Sequence, residues 1–511
     1  MLNAMNHPNN LQELLKNSAE KFGERVALSE FVNGALSEIT YKTLHEYALI
    51  GANNIVKTGL QPGENIAIKG SNSISWVVRF FSILYSGCTV VPIDPKLNKK
   101  SIDFILKFTN SYLLEDVIKE QDRDKISNLK TIDSGSVAEI LFTSGTTGEP
   151  KGVMLTHKNL ISNLIDINKI IYFDYPVTSF SILPLHHVYE LTGGLLNNIY
   201  NGNKVHFCSK IDISTMTKEM QIVKPAIWPV VPLILEKIFK GIKSSLQKSI
   251  MRQIIFNIAP KIFGRLVRKK MGLENVKFIL CGGAPLNPEI EKFLDRINIQ
   301  IIQGYGLSEA SPLITVNPPE KIKFGSVGKV IDSCDVEIRK KNEDGHGIIY
   351  AKGSNIFKGY YKNLESTQEV LENGWLNTGD IGYFDSDQYL YITGREKFVI
   401  VNAGGKNIYP EEIEENIKTS NLIKDVVVFS NDDKNIIAII QPDEFIFKNT
   451  DIDELKRVIS NYILDSNKNF ESYKRINKVY LTNKDFNKTS TQKIKRDFLR
   501  NFNPSDYDLA Y

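Results

Sequence analysis

Residues 143–152 read Thr-Ser-Gly-Thr-Thr-Gly-Glu-Pro-Lys-Gly, directly after the short, mostly apolar run Glu139-Ile140-Leu141-Phe142. Glycines let a backbone turn sharply and expose its N–H groups. The hydroxyls and Lys151 add donors and a positive charge. A loop of this composition wraps a polyphosphate. It is not the commonest loop of that kind. A P-loop reads G-x-x-x-x-G-K-[ST]. Counting from Gly145, the sixth position is Pro150, and Lys151 is followed by Gly152. A flexible polar loop is the competing reading, and this stretch alone leaves both open.

Such a loop needs a scaffold. Strand and helix signals alternate from about residue 60 to 310. Strands are expected at 65–69, 88–93, 178–183, 204–208, 276–281 and 299–302, and a core helix at 73–85. Another helix should start at Asn287 as cap with Pro288 in its first position. This alternation predicts parallel α/β sheets. From about 322 to 393 the pattern shortens into strands and turns. A second unit begins near 398, with an acidic helix opened by Pro410, strands at 425–429 and 435–440, and an amphipathic helix through Leu455, Val458, Ile459, Tyr462 and Ile463. The fold class is therefore α/β: a large amino-terminal domain of α/β sheets with a β-rich subdomain (1–396), and a small α/β carboxy-terminal domain (397–511).

The 511 residues allow a sizeable core, and a net charge of +4 does not point to nucleic acid. Four cysteines, with no C-x-x-C pair, suit a reduced, cytoplasmic chain. The first ten residues lack the apolar core of a signal peptide. The longest apolar stretch, 76–93, is broken by Arg79, Ser82, Ser86 and Gly87, so it reads as a core helix and strand. One segment stands apart. From 237 to 270 there are ten Lys or Arg and no Asp or Glu, interleaved with isoleucine, leucine and phenylalanine. A basic amphipathic helix lying on anionic membrane and a solvated helical face over a core stripe both fit.

Further motifs follow the first loop in order. They are Tyr305-Gly306-Leu307-Ser308-Glu309, Thr378-Gly379-Asp380, Gly394-Arg395-Glu396-Lys397, the run Gly405-Lys406-Asn407-Ile408-Tyr409-Pro410-Glu411-Glu412, and Thr491-Gln492-Lys493-Ile494-Lys495. Together they resemble the adenylate-forming superfamily of acyl- and aryl-CoA synthetases, luciferase and peptide-synthetase adenylation domains. Residues 373–414 are most similar to the long-chain fatty acid–CoA ligase branch.

The resemblance implies a mobile carboxy-terminal domain and two half-reactions. A carboxylate attacks the α-phosphate of ATP, and a thiol then displaces AMP. It also implies the roles. Thr143, Ser144, Gly145, Thr146, Thr147, Gly148 and Lys151 would hold the β- and γ-phosphates. Lys493 would contact the carboxylate and the α-phosphate. Glu309, with Thr147, would hold Mg2+. Tyr305 and Gly306 would lie on one side of adenine, with Gly282, Gly283 and Ala284 on the other. Ser308 keeps the hydroxyl of a more usual threonine, and Gln492 replaces a usual glycine. Asp380 would accept from the ribose, with Arg395 nearby. His187, in register where His186 is not, would sit by the substrate carboxylate. Lys397 would be the hinge, and Gly404 and Gly405 would edge the coenzyme A tunnel. Taken singly, these residues read otherwise: Lys493 as a solvated lysine, Glu309 as a surface charge, Tyr305 as a core aromatic, His187 as structural.

No Asp occurs between 180 and 210, which argues against an amino-acid substrate. The segment 225–233 resembles the long-chain branch, so Trp228 and Gly193 are expected at an acyl pocket. A medium- to long-chain fatty acid with ATP, Mg2+ and coenzyme A is the expected set, with peripheral membrane contact suiting such an acid. Transfer to an acyl carrier protein, an aryl acid, and a non-catalytic nucleotide-binding module are the alternatives.

Overall fold

The 143–152 loop joins two antiparallel strands. Val137–Thr143 pairs with Lys151–Thr156, setting Thr143 opposite Lys151 and Phe142 opposite Gly152. A P-loop instead runs from a strand into a helix. The computed structural model describes residues 7–117, 124, 131–143, 150–173, 175–401, 406–431, 435–488 and 494–511. Ser144 to Gly148, Gly404, Gly405 and Lys493 therefore lie outside the described residues.

Two large mixed sheets build the first part of the chain. One has six strands, with Thr89–Ile93 between Asn65–Lys69 and Val137–Thr143. The other has nine, and its centre is parallel: Phe278–Cys281, Ile227–Val230, Thr178–Ser181 and Lys204–Phe207. Its edge, Val26–Val32 with Ala35–Thr40, is an antiparallel hairpin absent from the sequence reading. A five-stranded antiparallel sheet follows over 334–395. The fold is α/β, with a four-stranded sheet and its helices forming a small unit near the carboxy terminus.

The helix Ile74–Tyr85 is buried at ten of its twelve positions, and Trp76, Phe80 and Phe81 are in the main core. A helix apolar all round belongs in an interior. Among the described residues no helix is long and apolar enough to cross a membrane. The marked start at Asn287 is realised: its side chain accepts from Glu289 N, and Pro288 opens the helix Pro288–Arg296.

Strand Val137–Thr143 buries one charge-bearing side chain. Glu139 has no exposed surface and no hydrogen-bond partner among the described residues. Burial pushes its carboxyl from 4.5 up to about 8. The unfolded chain loses this proton near 4.5 and the folded chain near 8, so stability falls as pH rises through that window. Glu139→Leu should therefore stabilise by on the order of 1–3 kcal/mol, more at alkaline than at acid pH. Urea denaturation at both ends of the window reads this, and an equal gain at both would count against it.

The basic segment is not one helix but three: Pro232–Gln247, Ile250–Ile258 and Pro260–Met271. Pro260 cannot continue the helix before it and opens the next.

After Arg395 a 3-10 turn, Glu396–Phe398, leads into the small unit. That unit rests on the 232–247 helix and the start of the 288–296 helix. Lys418 lies 3.4 Å from Glu236 and 3.5 Å from Asp425, and Lys488 Nζ is 2.6 Å from Asp425. Lys240 donates to Ile423 O, and Asn287 to Glu415 O.

Candidate active site

Strand ends from all three larger sheets, with the edge of the small unit, enclose one cleft of about 2670 Å³. Thr143 and Lys151, at the two ends of the phosphate-type loop, are on its wall. Gly282, Gly283 and Ala284 follow strand Phe278–Cys281, and Tyr305, Gly306, Ser308 and Glu309 follow from strand Ile301–Gly306. Gly283 adopts φ +85°, a conformation that a side chain would strain.

Asp380 and Arg395 face each other across antiparallel strands, where their Cα atoms are register partners. Arg395 Nε is 2.9 Å from Asp380 Oδ1, and the Tyr305 hydroxyl donates to Asp380 Oδ2 at 2.8 Å. Asp380 is only 5% exposed. Asp380 raises the Arg395 guanidinium further above its ordinary value, and burial followed by Asp380 does the same for the Tyr305 phenol. The three side chains form a fixed group. An ionised carboxylate has lone pairs for about four donors, so Asp380 can take further hydroxyls while holding both neighbours.

Glu309 lies opposite this group on the cleft wall. The Tyr360 hydroxyl donates to its Oε1 at 2.8 Å, and Lys151 Nζ stands 5.1 Å over the Tyr360 ring. Tyr360 thus couples two residues expected at the phosphates. Sequence reasoning missed it because it arrives on the short strand Gly359–Tyr360, paired to Lys151–Thr156 from some two hundred positions away.

The turn 183–187 is held from outside. Asn72 donates to Leu183 O and accepts from Leu185 N. His187 lies on the cleft wall, but so does His186, their rings 4.6 Å apart. His186 Nε2 is 3.7 Å from Asp94. Burial, then the neighbouring His187, lowers His186 to about 3, and burial lowers His187. Both rings are neutral at pH 7. The register argument singled out His187, and the structure adds Asp94 and His186 beside it.

Gly193 is on the wall, 3.7 Å (from a would-be Cβ) short of the Tyr189 ring, whose hydroxyl donates to Leu280 O. Trp228 is not on the wall. It is 2% exposed and packed in the core with Phe180 and Val230, on a strand buried on both faces, with Ile227 in the main core. Its assignment to an acyl pocket is corrected; Val231 and Leu233 line the cleft instead.

Lys397 lines the cleft between the two units. Burial, then Arg395, lowers its ammonium to about 8. The arms beside the undescribed 489–493 segment, Lys488 and Ile494 to Asp497, also line it.

A family profile for AMP-binding enzymes matches residues 15–114 and 110–361, and one for the AMP-binding enzyme C-terminal domain matches 397–505. The chain belongs to the AMP-binding enzyme family. Within the adenylate-forming superfamily it is similar to the long-chain-fatty-acid–CoA ligase ACSBG2 of Rattus norvegicus, at 29% identity over 80% of this chain and 73% of the relative. It is equally similar to the oxalate–CoA ligase of Arabidopsis thaliana, at 29% identity over 83% and 86%. The fold matches the O-succinylbenzoate coenzyme A synthetase MenE of Bacillus subtilis, solved with ATP and a magnesium ion. There the TM-score is 0.77 at 23% identity, over 95% of this chain and 99% of that one. By family the enzyme is an AMP-forming acid–CoA ligase, and ATP, Mg2+ and coenzyme A are the cosubstrates of that family.

Proposed function

We propose that the protein converts a medium- to long-chain fatty acid first to acyl-AMP and then to acyl-CoA. The observation that supports the acid class is the apolar part of the cleft lining. Ile167, Ile171, Phe207 and Val231 line the same cleft as His187 and Gly193. A chain buried there gains about 0.8 kcal/mol per methylene, and no ordered acid is needed for an ammonium group.

The roles follow from charge. Two anions must approach, so aimed donors must face the reacting oxygens. Lys151 and the 143–152 loop would hold the outer phosphates. Lys493 would neutralise the α-phosphate and the incoming carboxylate. His187, neutral, would donate to that carboxylate and orient it. Tyr305 would cover adenine with its ring fixed by Asp380, and Asp380 would accept from the ribose. Glu309 offers a carboxylate with Oε2 left open by the Tyr360 bond, which fits a hard cation held through one carboxylate and substrate phosphates. Mg2+ bound there would spread phosphate charge. Thr147 would be its second contact. For the second step the small domain would turn about Lys397 and bring Gly404 and Gly405 to a coenzyme A tunnel.

A second reading, a short or aryl acid, is favoured by Asn72 and Ser181 on the same wall. ATP–pyrophosphate exchange over a panel of carboxylic acids separates the two. Coenzyme A or an acyl carrier protein added afterwards identifies the acceptor. Exchange confined to oxalate or aryl acids would end the fatty-acid reading.

Asp380→Ala should raise KM for ATP by roughly 10- to 150-fold, the worth of about 1.5–3 kcal/mol for a hydrogen bond to a charged group. Tyr305→Phe keeps the ring and loses only the bond to Asp380, so its KM should rise less. GTP should be a poor substrate. Equal use of GTP, or an unchanged KM in Asp380→Ala, would contradict this nucleotide pocket.

A further inference from the structure

The helices Ile250–Ile258 and Pro260–Met271 each carry two apolar faces. The inner one is accounted for. Phe256 stacks on Phe293 at 5.3 Å and meets Phe263 edge-on at 5.7 Å. Gly264 packs so closely that a Cβ there would fall 1.9 Å from Ile297 O. These residues are the core stripe that a solvated helix needs. The outer face is additional. Ile250 is 76% exposed and Ile258 80%, and Met251, Ile254, Ile262 and Leu266 are exposed with them. The 250–258 helix has no buried residue at all. Six large apolar side chains within seventeen positions on a surface is a patch with a use, not scattered exposure.

Charge says what covers it. Lys248, Arg252, Lys261, Arg265, Lys269 and Lys270 flank the patch, all exposed. No Asp or Glu occurs between Glu236 and Glu274. Arg268 is not part of this set: its guanidinium donates to the carbonyls of Leu273, Glu274, Val276 and Asn298 and fixes the end of its helix. Isoleucines pointing outward within a basic collar match the depth profile of an anionic bilayer, where apolar side chains reach the acyl boundary and cations stay among the headgroups.

We propose that this face docks the protein on an anionic lipid surface. The 232–247 helix runs directly into it and lines the cleft with Pro232, Leu233 and Phe239. The docked helices therefore follow, along the chain, an element of the cleft wall. That use, drawing an apolar acid from the bilayer, rests on the fatty-acid reading; the docking itself does not.

Flotation with vesicles tests it without catalysis. The full chain should float with phosphatidylcholine–phosphatidylglycerol vesicles at low salt and not with phosphatidylcholine alone. Each basic residue near such a surface is worth about fivefold in partitioning. The combined variant Lys261→Glu, Arg265→Glu, Lys269→Glu and Lys270→Glu should thus lose at least about 100-fold. Ile254→Asn with Ile258→Asn, which changes no charge, should also abolish flotation, which adhesion by charge alone would not predict. Thermal melts and ATP binding should match the parent in both variants, since these side chains point away from core and cleft. Three results would overturn the proposal. The parent chain fails to float; either variant floats as the parent does; or the parent sediments as a dimer that Ile254→Asn with Ile258→Asn makes monomeric, which would assign the face to a second copy.

Discussion

Lys493→Ala should reduce ATP–pyrophosphate exchange by on the order of 10²–10³-fold, the usual loss when one aimed contact to developing charge is removed. Thioester formation from supplied acyl-adenylate should survive in the same variant. The described residues on either side of Lys493 are anchored. Lys488 and Ile494 form an antiparallel bridge, and Lys488 is pinned to Asp425. Arg496 grips both oxygens of Glu414 at 2.8 and 2.7 Å and donates to Val428 O. Lys493 itself belongs to none of these anchoring contacts. Its removal should therefore act on the rate of adenylation rather than on stability. Both half-reactions would be measured on one preparation, and equal loss in both would remove Lys493 from the role given to it.

Lys397→Pro should leave exchange near normal and cut acyl-CoA formation by on the order of 10²-fold, the effect of misplaced reacting groups. Lys397 sits in the first turn of the 3-10 segment Glu396–Phe398, where proline's fixed φ and missing N–H are tolerated. The arrangement described here can accept the substitution. A hinge there, which must change its backbone dihedrals, cannot turn freely. Lys397→Ala is the needed control, because the lysine ammonium also lies 4.8 Å over the Phe398 ring. If Lys397→Ala behaves as Lys397→Pro does, the side chain and not the backbone carries the effect. Full thioester activity in Lys397→Pro would place the turning point elsewhere.

What the sequence made legible is what local chemistry determines. Asn287 with Pro288 marks a helix start in any context, and it marked this one. Alternating apolar runs gave the α/β class. Motif order named the residues that line the cleft, from Lys151 through Tyr305 to Arg395, though they come from three sheets. What was illegible depends on partners far along the chain. Tyr360 meets Glu309 and Lys151 only because a two-residue strand pairs at the edge of a sheet. Asn72 and Asp94 reach the histidine turn from a different sheet altogether. Trp228 shows the opposite failure: a motif fixes the neighbourhood, but both faces of its strand are core, and the cleft begins only at Val231, past the strand's end. Arg268 looked like one more surface cation, and it is a carbonyl clamp.

The contacts of Lys418 bear on timing. It reaches Glu236 on the large domain and Asp425 on the small one, while Lys240 and Asn287 hold the backbone at Ile423 and Glu415. The contacts of Glu236, Lys240 and Asn287 cross between the domains and would have to part if the small domain turns, while Lys418–Asp425 would travel with it. Such contacts would act as a brake on leaving this arrangement. If the domain turns, such a brake would bias the resting population toward this arrangement before any acid or nucleotide arrives.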